Sequence, residues 1–359
     1  MRVGLLIYGR LDTISGGFIY DRHLVRYLRE QGDRVEVISL PWRHYGVSLL
    51  DNLNAGLRRR LEQAAFDVLL QDELVHPSCF WLNQRLHPRI PTPLVAIVHH
   101  LRCRETHSAW PTRLYRRVEK RYLASVDGFI CVSRTTKQDV EDLVGREQPL
   151  VVASPGRNGL PGSITRAEIK ARATAPGPLH ILFVGNLIPR KELHTLLTAL
   201  TNLPRDGWRL TVAGSLDMDI AYVKTIRRQI QDAGLTPGVS LLGALPAQEL
   251  AARCAASHLL AVPSSYEGFG IVYLEGMHFG LPAIAGTAGA ARELIHHDHN
   301  GFLVPPGDAA ALAHHLNLLM QDRELLKRLS LSAHHAAAAH PTWEETAALG
   351  RAFLKSFLG

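Results

Sequence analysis

The sequence has little cysteine and no long hydrophobic run, and both shortages narrow the class of protein. Its four cysteines are scattered without a metal-type spacing, so a disulfide scaffold and a zinc module are not indicated, and a reduced cytosolic setting fits. No apolar run reaches the roughly 18 residues that span a bilayer. The opening segment MRVGLLIYGRLD has a short apolar run without a small-residue cleavage site, so we expect a first buried strand rather than a signal peptide.

Nucleic-acid recognition motifs are also missing, although the formal net charge is +7. The basic residues of the first half are not interleaved with aromatic side chains that could stack on bases, and we expect no nucleic-acid partner. A solvated basic face, an anionic acceptor and an anionic membrane surface stay open as explanations of the charge. We expect a cytoplasmic protein, with peripheral contact at the inner face of the membrane as the open alternative.

Short apolar runs alternate with amphipathic stretches along the whole chain. The runs are nearly continuous in apolar residues, which is typical of parallel strands covered on both faces. Repeated β-α alternation predicts an α/β fold with two Rossmann-like, doubly wound parallel-sheet domains. The runs are VGLLIYG, RVEVISL, FDVLLQD, LVAIVHH, GFICVS and PLVVAS, followed by HILFVGN, RLTVAG, VSLLGA, HLLAVPS, PAIAGT and GFLVPP.

The boundary between the two predicted domains falls in a segment rich in glycine and proline. Residues 156–178 contain no clear strand, and we predict a linker region there. Near the C-terminus, Thr342 can cap a final helix, and Glu345 three residues later completes a capping box.

The segment EGFGIVYLEGMHFGLPAIAG, residues 267–286, sets Glu267 and Glu275 eight residues apart around a glycine-rich turn. The apolar run before it predicts a strand, and the residues after the turn predict a helix that stops at Gly280. Unpaired N–H groups at such a helix N-terminus can hold a phosphate. Over eight mostly helical residues the chain rises about 12 Å, which is about the span of a nucleotide sugar. The segment therefore predicts a donor clamp with one carboxylate at each end.

This segment resembles the hallmark motif of family 4 of the retaining, GT-B-fold glycosyltransferases: Glu, seven residues, Glu, within EGFG…E-x-M…G-x-P. The similarity extends through ARELIHHDHNGFLVPPGD and VGNLIPRKELHTLLTAL to the N-terminal pair Gly16-Gly17. The resemblance implies two domains facing a cleft, with an acceptor-binding domain over 1–155 and a nucleotide-sugar-binding domain over 179–342. It also implies that the C-terminal segment 343–359 crosses back and packs on the N-terminal domain.

The resemblance further implies roles for the residues of the motif. Glu275 would accept hydrogen bonds from the ribose hydroxyls of the donor, and a carboxylate makes such bonds strong and directional. Glu267 would contact hydroxyls of the donor sugar and support positive charge at the reacting carbon. The turn would let backbone approach the diphosphate closely. Its donor-binding residues would be Gly268, Phe269, Gly270 and Ile271.

A basic pair, Arg190 and Lys191, follows the predicted strand HILFVGN. It matches the Arg/Lys pair of the family, which would neutralise the charge that develops on the leaving diphosphate. The chain departs from the family pattern twice: Asn186 stands where many members have arginine, so that Arg190 would supply that charge, and Glu192 stands where glycine is usual. With these cations available we expect no metal and no cofactor other than a UDP- or GDP-linked sugar donor.

His99 ends the predicted strand LVAIVHH at the carboxyl edge of a sheet, where α/β folds bind ligands. Family 4 enzymes commonly have a histidine here, near the donor sugar and the reacting centre, and we assign catalytic roles to His99, Glu267 and Lys191. His100 competes with His99, because strand alternation directs the two side chains differently. The family's N-terminal glycine loop contacts the diphosphate and shapes the acceptor site, and Gly16 and Gly17 would do so here.

Two further segments resemble functional motifs but can also be explained by structure alone. Asp217-Met218-Asp219 looks like the metal-binding Asp-x-Asp of the other large glycosyltransferase fold, but we read it as a solvated loop that can cap a helix. In residues 110–126, basic residues occupy most helical faces, and one stripe carries the apolar residues Trp110, Leu114, Val118 and Tyr122. This pattern predicts either a core helix with a solvated basic face or a surface that contacts an anionic membrane, as in some family 4 enzymes with lipid acceptors.

These features predict a retaining, metal-independent glycosyltransferase that moves a sugar from an NDP-sugar to a saccharide, lipid or small-molecule acceptor. Such an activity belongs to polysaccharide or glycolipid biosynthesis. One alternative is a GT-B-fold sugar-nucleotide epimerase, which needs no acceptor. The other is a non-catalytic sugar-nucleotide-binding partner, for which Asn186 and Glu192 are the only hints.

Overall fold

The computed structural model describes residues 1–13, 15–105, 108–145 and 147–358, and the chain divides into two compact units. The first unit comprises Met1–Gly156 together with Pro341–Gly359, and the second comprises Arg157–His340. Gly359, the last residue of the predicted returning segment 343–359, lies outside the described residues.

A six-stranded parallel sheet forms the centre of the first unit. Its strands are β1 (Arg2–Tyr8), β2 (Arg34–Leu40), β3 (Val68–Asp72), β4 (Leu94–Val98), β5 (Gly128–Cys131) and β6 (Leu150–Val152). They lie in the order β2-β1-β3-β4-β5-β6. The direction of winding therefore reverses between β1 and β3, and such a switch point opens a crevice at the carboxyl ends of the strands.

Helices cover this sheet, and the strands β3, β4 and β5 are buried along their whole length. The helices of the first unit are α1 (Gly16–Glu30), α2 (Tyr45–Ser48), α3 (Ala55–Gln63), α4 (His76–Cys79), α5 (Leu82–Leu86), α6 (Ala109–Leu123), α7 (Arg134–Val144) and, after the second unit, α15 (Trp343–Lys355).

The last helix belongs to the first unit, as the sequence predicts. Helix α15 packs against α1, and Arg351 Nε donates a hydrogen bond of 2.6 Å to the carboxylate of Asp33. The helix begins with the predicted capping box, in which the Thr342 side chain accepts from the Glu345 N–H and the Glu345 side chain accepts from the Thr342 N–H. The chain thus leaves the first unit and returns to it.

A second six-stranded parallel sheet forms the centre of the second unit. Its strands are β7 (Leu179–Val184), β8 (Trp208–Ala213), β9 (Val239–Gly243), β10 (Leu259–Val262), β11 (Ala283–Gly286) and β12 (Gly301–Val304). Their order is β12-β11-β10-β7-β8-β9, so the switch point lies between β7 and β10. All twelve predicted strands are present, and the prediction of two doubly wound parallel-sheet domains is confirmed.

Seven helices flank the second sheet in the described part of that unit. They are α8 (Arg166–Thr174), α9 (Leu193–Thr201), α10 (Ile220–Asp232), α11 (Ala247–Ala256), α12 (Ile271–His278), α13 (Ala309–Gln321) and α14 (Arg323–Ala339). None of the helices in the described ranges of the chain is long and apolar enough to cross a bilayer.

The glycine- and proline-rich segment 156–178, where the sequence predicts the linker, contains helix α8. Thr165 and Glu168 form a capping box at its start, and α8 packs against α14. Arg172 of α8 caps the ends of two other helices by donating 2.8–3.3 Å hydrogen bonds to backbone carbonyls. The acceptors are the carbonyl oxygens of Cys254, Ala255, Phe279 and Gly280. Helix α8 therefore fixes α12, the helix that carries Glu275.

Candidate functional site

The switch point of the second sheet brings together two cations and a carboxylate, which we call the charge cluster: Arg190, Lys191 and Glu267. Lys191 ends the 3-10 turn after β7, and Glu267 lies in the loop after the neighbouring strand β10. The Lys191 ammonium forms a direct ion pair with Glu267 Oε1, and Arg190 Nη1 lies 3.5 Å from Glu267 Oε2. The three side chains are largely buried, with exposed fractions between 8% and 20%.

Backbone contacts hold the two loops of the charge cluster together. Arg190 Nη1 donates a hydrogen bond of 2.7 Å to the carbonyl oxygen of Tyr266. The N–H of Ser265 donates a hydrogen bond of 2.8 Å to the carbonyl oxygen of Arg190. Because the loop after β7 and the loop after β10 are bonded in both directions, the spacing between the cations and the carboxylate is fixed by the fold.

Electrostatics keeps the charge cluster ionised. Burial alone would raise the pKa of Glu267, but Lys191 and Arg190 outweigh it and hold this pKa at about 2. Burial lowers the pKa of Lys191, and the carboxylate of Glu267 opposes that shift. Two positive charges and one negative charge leave a net positive charge beside a carboxylate, which suits a ligand with both anionic and hydroxyl groups.

The two departures from the family pattern have structural explanations. Glu192 adopts φ = 54°, in the region where glycine is favoured, so a glycine is the ordinary residue for this turn. Its carboxylate accepts hydrogen bonds of 2.8 Å from the Gly307 N–H and from Thr195 Oγ1, so its charge is used within the fold. Asn186 Oδ1 accepts a hydrogen bond of 3.3 Å from the Ser215 N–H, and within the described part of the chain it forms no hydrogen bond with the charge cluster.

The predicted phosphate-binding turn, Gly268–Ile271, leads directly into α12. Gly270 precedes the first helical residue with φ = 92°, and a Cβ there would lie 2.4 Å from the ring of Tyr273, so this position requires glycine. Phe269 is buried and its ring lies 5.7 Å from the ring of His340. The helix begins at Ile271, so residues 267–270 of the span from Glu267 to Glu275 are loop and residues 271–275 are helical.

Glu275 lies in α12, apart from the charge cluster. Its side chain is partly exposed, and it forms no hydrogen bond or ion pair with any residue that the structure describes. Burial raises the pKa of Glu275 to about 7. A ligand that donates O–H bonds would supply the partner that this partly desolvated carboxylate lacks in the described part of the chain.

The N-terminal glycine pair and His99 meet at the switch point of the first sheet. Helix α1 begins at Gly16, and a Cβ on Gly17 would lie 3.0 Å from Cδ2 of His99, so the absent side chain lets the helix start approach the imidazole. His99 follows β4. The competing residue His100 is bonded elsewhere, since its Nε2 lies 2.8 Å from Glu105 Oε1.

Sequence reasoning missed the acidic residues around His99. Asp21, one helical turn after Gly17, places Oδ1 3.4 Å from His99 Nε2. Asp72 and Glu73 follow at the carboxyl end of β3, and all three acidic side chains are buried. The available signal was the position of Asp72 and Glu73 at the end of the predicted strand FDVLLQD, at the sheet edge where ligands bind.

The structure also describes the Asp-x-Asp segment 217–219 and the basic segment 110–126. Asp219 accepts a hydrogen bond of 2.9 Å from the Tyr222 N–H and caps α10, which agrees with the helix-cap reading. In α6, Val118 and Tyr122 are buried and the basic residues are exposed. Trp110 is 73% exposed, so the apolar stripe of this helix is buried toward its C-terminal end and exposed at its start.

Comparisons with known proteins match both halves of the chain to glycosyltransferase families. Residues 165–335 match the family described as glycosyl transferases group 1, and residues 16–156 match a glycosyl transferase 4-like domain. One relative is the GDP-mannose-dependent alpha-(1-6)-phosphatidylinositol monomannoside mannosyltransferase of Mycobacterium tuberculosis, which is 28% identical over 252 residues, 67% of this chain and 64% of its own length. The chain thus spans less than two thirds of the length of the first relatives it matches.

Solved structures agree with the two-unit GT-B architecture. The sucrose-phosphate synthase of Thermosynechococcus elongatus is similar with a TM-score of 0.84 and 22% identity, covering 99% of both chains. The Anabaena protein HepE, solved with UDP and glucose, is similar with a TM-score of 0.77 and 22% identity over 99% of this chain and 100% of its own.

Proposed function

Because the chain belongs to the group 1 glycosyltransferases, we propose that it transfers a sugar from an NDP-sugar to an acceptor, with retention of configuration and without a metal ion. The charge cluster is the observation that carries this proposal. Lys191 and Arg190 offer positive charge to a diphosphate, and Glu267 offers a carboxylate to the hydroxyls of the donor sugar. Glu275, which lacks a partner in the described chain, is available to the ribose hydroxyls.

The proposed reaction proceeds on one face of the sugar. The acceptor oxygen forms a bond to C1 on the side from which the diphosphate leaves, the bond from C1 to the phosphate oxygen breaks, and the acceptor proton passes to that oxygen. Lys191 and Arg190 stabilise the negative charge that appears on the diphosphate, where fixed charges are most effective. The negative charge of Glu267 supports the positive charge that develops at C1.

Donor and acceptor are proposed only as classes. The matched mannosyltransferase is named for GDP-mannose, and HepE was solved with UDP and glucose, so we propose a UDP- or GDP-linked hexose as the donor. The acceptor is a saccharide, a lipid or a small molecule, and the relatives with named acceptors favour glycolipid or polysaccharide synthesis.

The slow transfer of the donor sugar to water tests this function without knowledge of the acceptor. We expect the protein to release free sugar from UDP-glucose or from GDP-mannose, and the first sugar formed should have the anomeric configuration of the donor. Proton NMR recorded faster than mutarotation measures both quantities. Addition of EDTA should leave the rate unchanged, because Lys191 and Arg190 supply the positive charge.

Other outcomes would identify the alternatives. A first product of opposite configuration would reject retention. Conversion of the donor into a different NDP-sugar, without release of free sugar, would indicate an epimerase. A donor that binds and stays intact with every acceptor offered would indicate a non-catalytic sugar-nucleotide-binding partner.

The first unit exposes apolar and basic side chains together, and we propose that this surface contacts an anionic membrane. Trp110 at the start of α6 is 73% exposed, and Leu50 and Leu53 of the segment after α2 are 64% and 56% exposed. The two segments are neighbours, because the rings of Tyr45 in α2 and Tyr115 in α6 lie 4.7 Å apart. Exposed tryptophan and leucine beside arginine are typical of a helix that lies at a membrane interface.

Charge reversal on α6 should remove this membrane contact. Each basic residue near an anionic surface contributes about 1 kcal/mol, so Arg116→Glu, Arg117→Glu and Lys120→Glu together should weaken binding by about 100-fold or more. Sedimentation with phosphatidylcholine vesicles, with and without phosphatidylglycerol, measures the effect. Lys224→Glu, Arg227→Glu and Arg228→Glu on α10 form the matched control, because these residues are also exposed. Equal binding by both triple variants, or no binding by the natural chain, would reject the contact.

A further inference from the structure

The imidazole of His99 is enclosed by one turn of α1. Gly17 lies against Cδ2, the ring of Tyr20 meets the imidazole edge to face at 5.5 Å, and Asp21 Oδ1 lies 3.4 Å from Nε2. From the neighbouring strand β3, Asp72 completes the group: one oxygen of each aspartate and a ring nitrogen of His99 lie within 4.8 Å of one another. The position and orientation of the imidazole are therefore set by the protein.

Asp21 forms no hydrogen bond to a cation in the described part of the chain, and the guanidinium of the adjacent Arg22 donates to the carbonyl oxygens of Leu11 and Thr13 instead. The Asp21 side chain is fully buried, and neither carboxylate oxygen has a hydrogen-bond partner among the described residues. His99 Nε2 is likewise buried without a hydrogen bond, so it lies at ion-pair distance from Asp21, with an oxygen of Asp72 within 4.8 Å of both groups. An ionised carboxylate in such surroundings is costly unless an opposite charge lies beside it.

The titratable groups around His99 come from three elements, and together they favour the protonated form of its imidazole. Burial would lower the pKa of His99, but Asp21, Asp72 and Glu73 together raise it to about 9. Burial, with a further contribution from Asp21, raises the pKa of Asp72 to about 8, and burial raises that of Glu73 to about 8. Near neutral pH Asp72 and Glu73 are therefore largely protonated, and Asp21 and His99 remain as the ionised pair.

We infer that Asp21 is a positioning residue that holds His99 as an imidazolium with Nε2 turned inward and Nδ1–H left for the substrate. This inference rests on the proposed function and deepens it. No described residue bonds to Nδ1, and 11% of the His99 side chain is exposed at the carboxyl edge of the sheet.

The charge state limits what His99 can do in the reaction. An imidazolium donates a hydrogen bond to a hydroxyl or phosphate oxygen, and it cannot accept the proton of the acceptor. His99 is therefore a donor and not the general base, which agrees with a mechanism in which the leaving phosphate takes that proton. Activity that needs this imidazolium is present below its pKa and is lost as the pH rises past about 9.

NMR titration of histidine-labelled protein, in EDTA and with resonance assignment, tests the inference apart from activity. In the natural chain His99 should titrate well above 6.5, near pH 9. In Asp21→Asn burial dominates, and the midpoint should fall by more than two pH units. Asp12→Asn, an exposed aspartate of the same unit, should leave the midpoint unchanged.

Each result of the titration either supports or overturns the inference about Asp21. A midpoint at or below 6.5 in the natural chain overturns the inference, even if Asp21→Asn does not fold. An unchanged midpoint in a folded Asp21→Asn also overturns it. A midpoint that moves when EDTA is replaced by Mg²⁺ or Mn²⁺ would mean that a cation balances the acids, and it would overturn the inference as well.

Donor turnover supplies the second readout. The rate should fall above about pH 9 in the natural chain, and in Asp21→Asn this fall should move to lower pH. A rate lost below pH 6.5 instead would identify a general base and contradict the inference. If the protein turns over no donor while His99 titrates as expected, the proposed function fails and the assignment of Asp21 stands.

Discussion

Replacing Lys191 with methionine is expected to lower the rate of donor turnover by about 100- to 1,000-fold, because a fixed charge aimed at the leaving group is worth about 3–4 kcal/mol in the transition state. The Lys191 ammonium is buried and forms an ion pair with the carboxylate of Glu267, so solvent cannot take over its charge in the variant. The loss should appear mainly in kcat, since the charge on the diphosphate grows as the bond breaks. Initial rates of nucleotide release from UDP-glucose and GDP-mannose measure the effect.

The control for Lys191→Met is Lys170→Met, which removes an exposed lysine of the same unit and should leave the rate unchanged. Lys191→Met also removes the direct ion pair of Glu267 and leaves it beside Arg190 at 3.5 Å, so the variant changes the stability of the site as well as its charge. The double variant Lys191→Met with Glu267→Gln removes the stranded carboxylate and should restore thermal stability without restoring turnover. A rate within tenfold of the natural chain would contradict the assigned role.

The sequence predicted the parts of the site that depend on local pattern. A strand followed by a glycine turn and a helix can be recognised along the chain, and both loops of the charge cluster were placed in this way. The direct ion pair of Lys191 with Glu267 could not be predicted, because 76 residues separate them and only the neighbouring positions of β7 and β10 bring them together. The same holds for Arg172, whose acceptors lie 82 to 108 residues away.

Buried charge was the least predictable feature. Asp21 occupies an amphipathic helix in which its position predicts a solvated residue, and its burial follows from the approach of α1 to Asp72 and His99 at the carboxyl ends of β3 and β4. Glu192 shows the opposite case: its charge looked unfavourable beside a diphosphate, and the Gly307 N–H that accounts for it lies 115 residues away. Trp110 fitted a helical stripe and is nevertheless exposed, because periodicity does not tell where the neighbouring segments end.

Replacing Glu275 with alanine is expected to abolish the stabilisation of the protein by its donor nucleotide. A nucleotide at 100 times its dissociation constant should stabilise the natural chain by about 2.7 kcal/mol, which corresponds to a melting shift of about 5–10 °C. UDP, GDP and ADP tested in turn should reveal one base with this effect, and Glu275→Ala should show little of it. The control Glu249→Ala, at an exposed position of α11, should respond as the natural chain does.

The pH dependence of the same shift separates a ribose contact from an indirect effect of Glu275→Ala. Burial places the pKa of Glu275 at about 7, and ribose hydroxyls donate to the ionised carboxylate, so binding requires the form present above that pKa. Stabilisation by nucleotide should therefore be full at pH 8 and fall by about 1.4 kcal/mol at pH 6, because about a tenth of the carboxylate is then ionised. Glu275→Gln cannot titrate and should show no such fall. A natural chain whose nucleotide response is independent of pH, or an alanine variant that responds fully, would show that the ribose is held elsewhere.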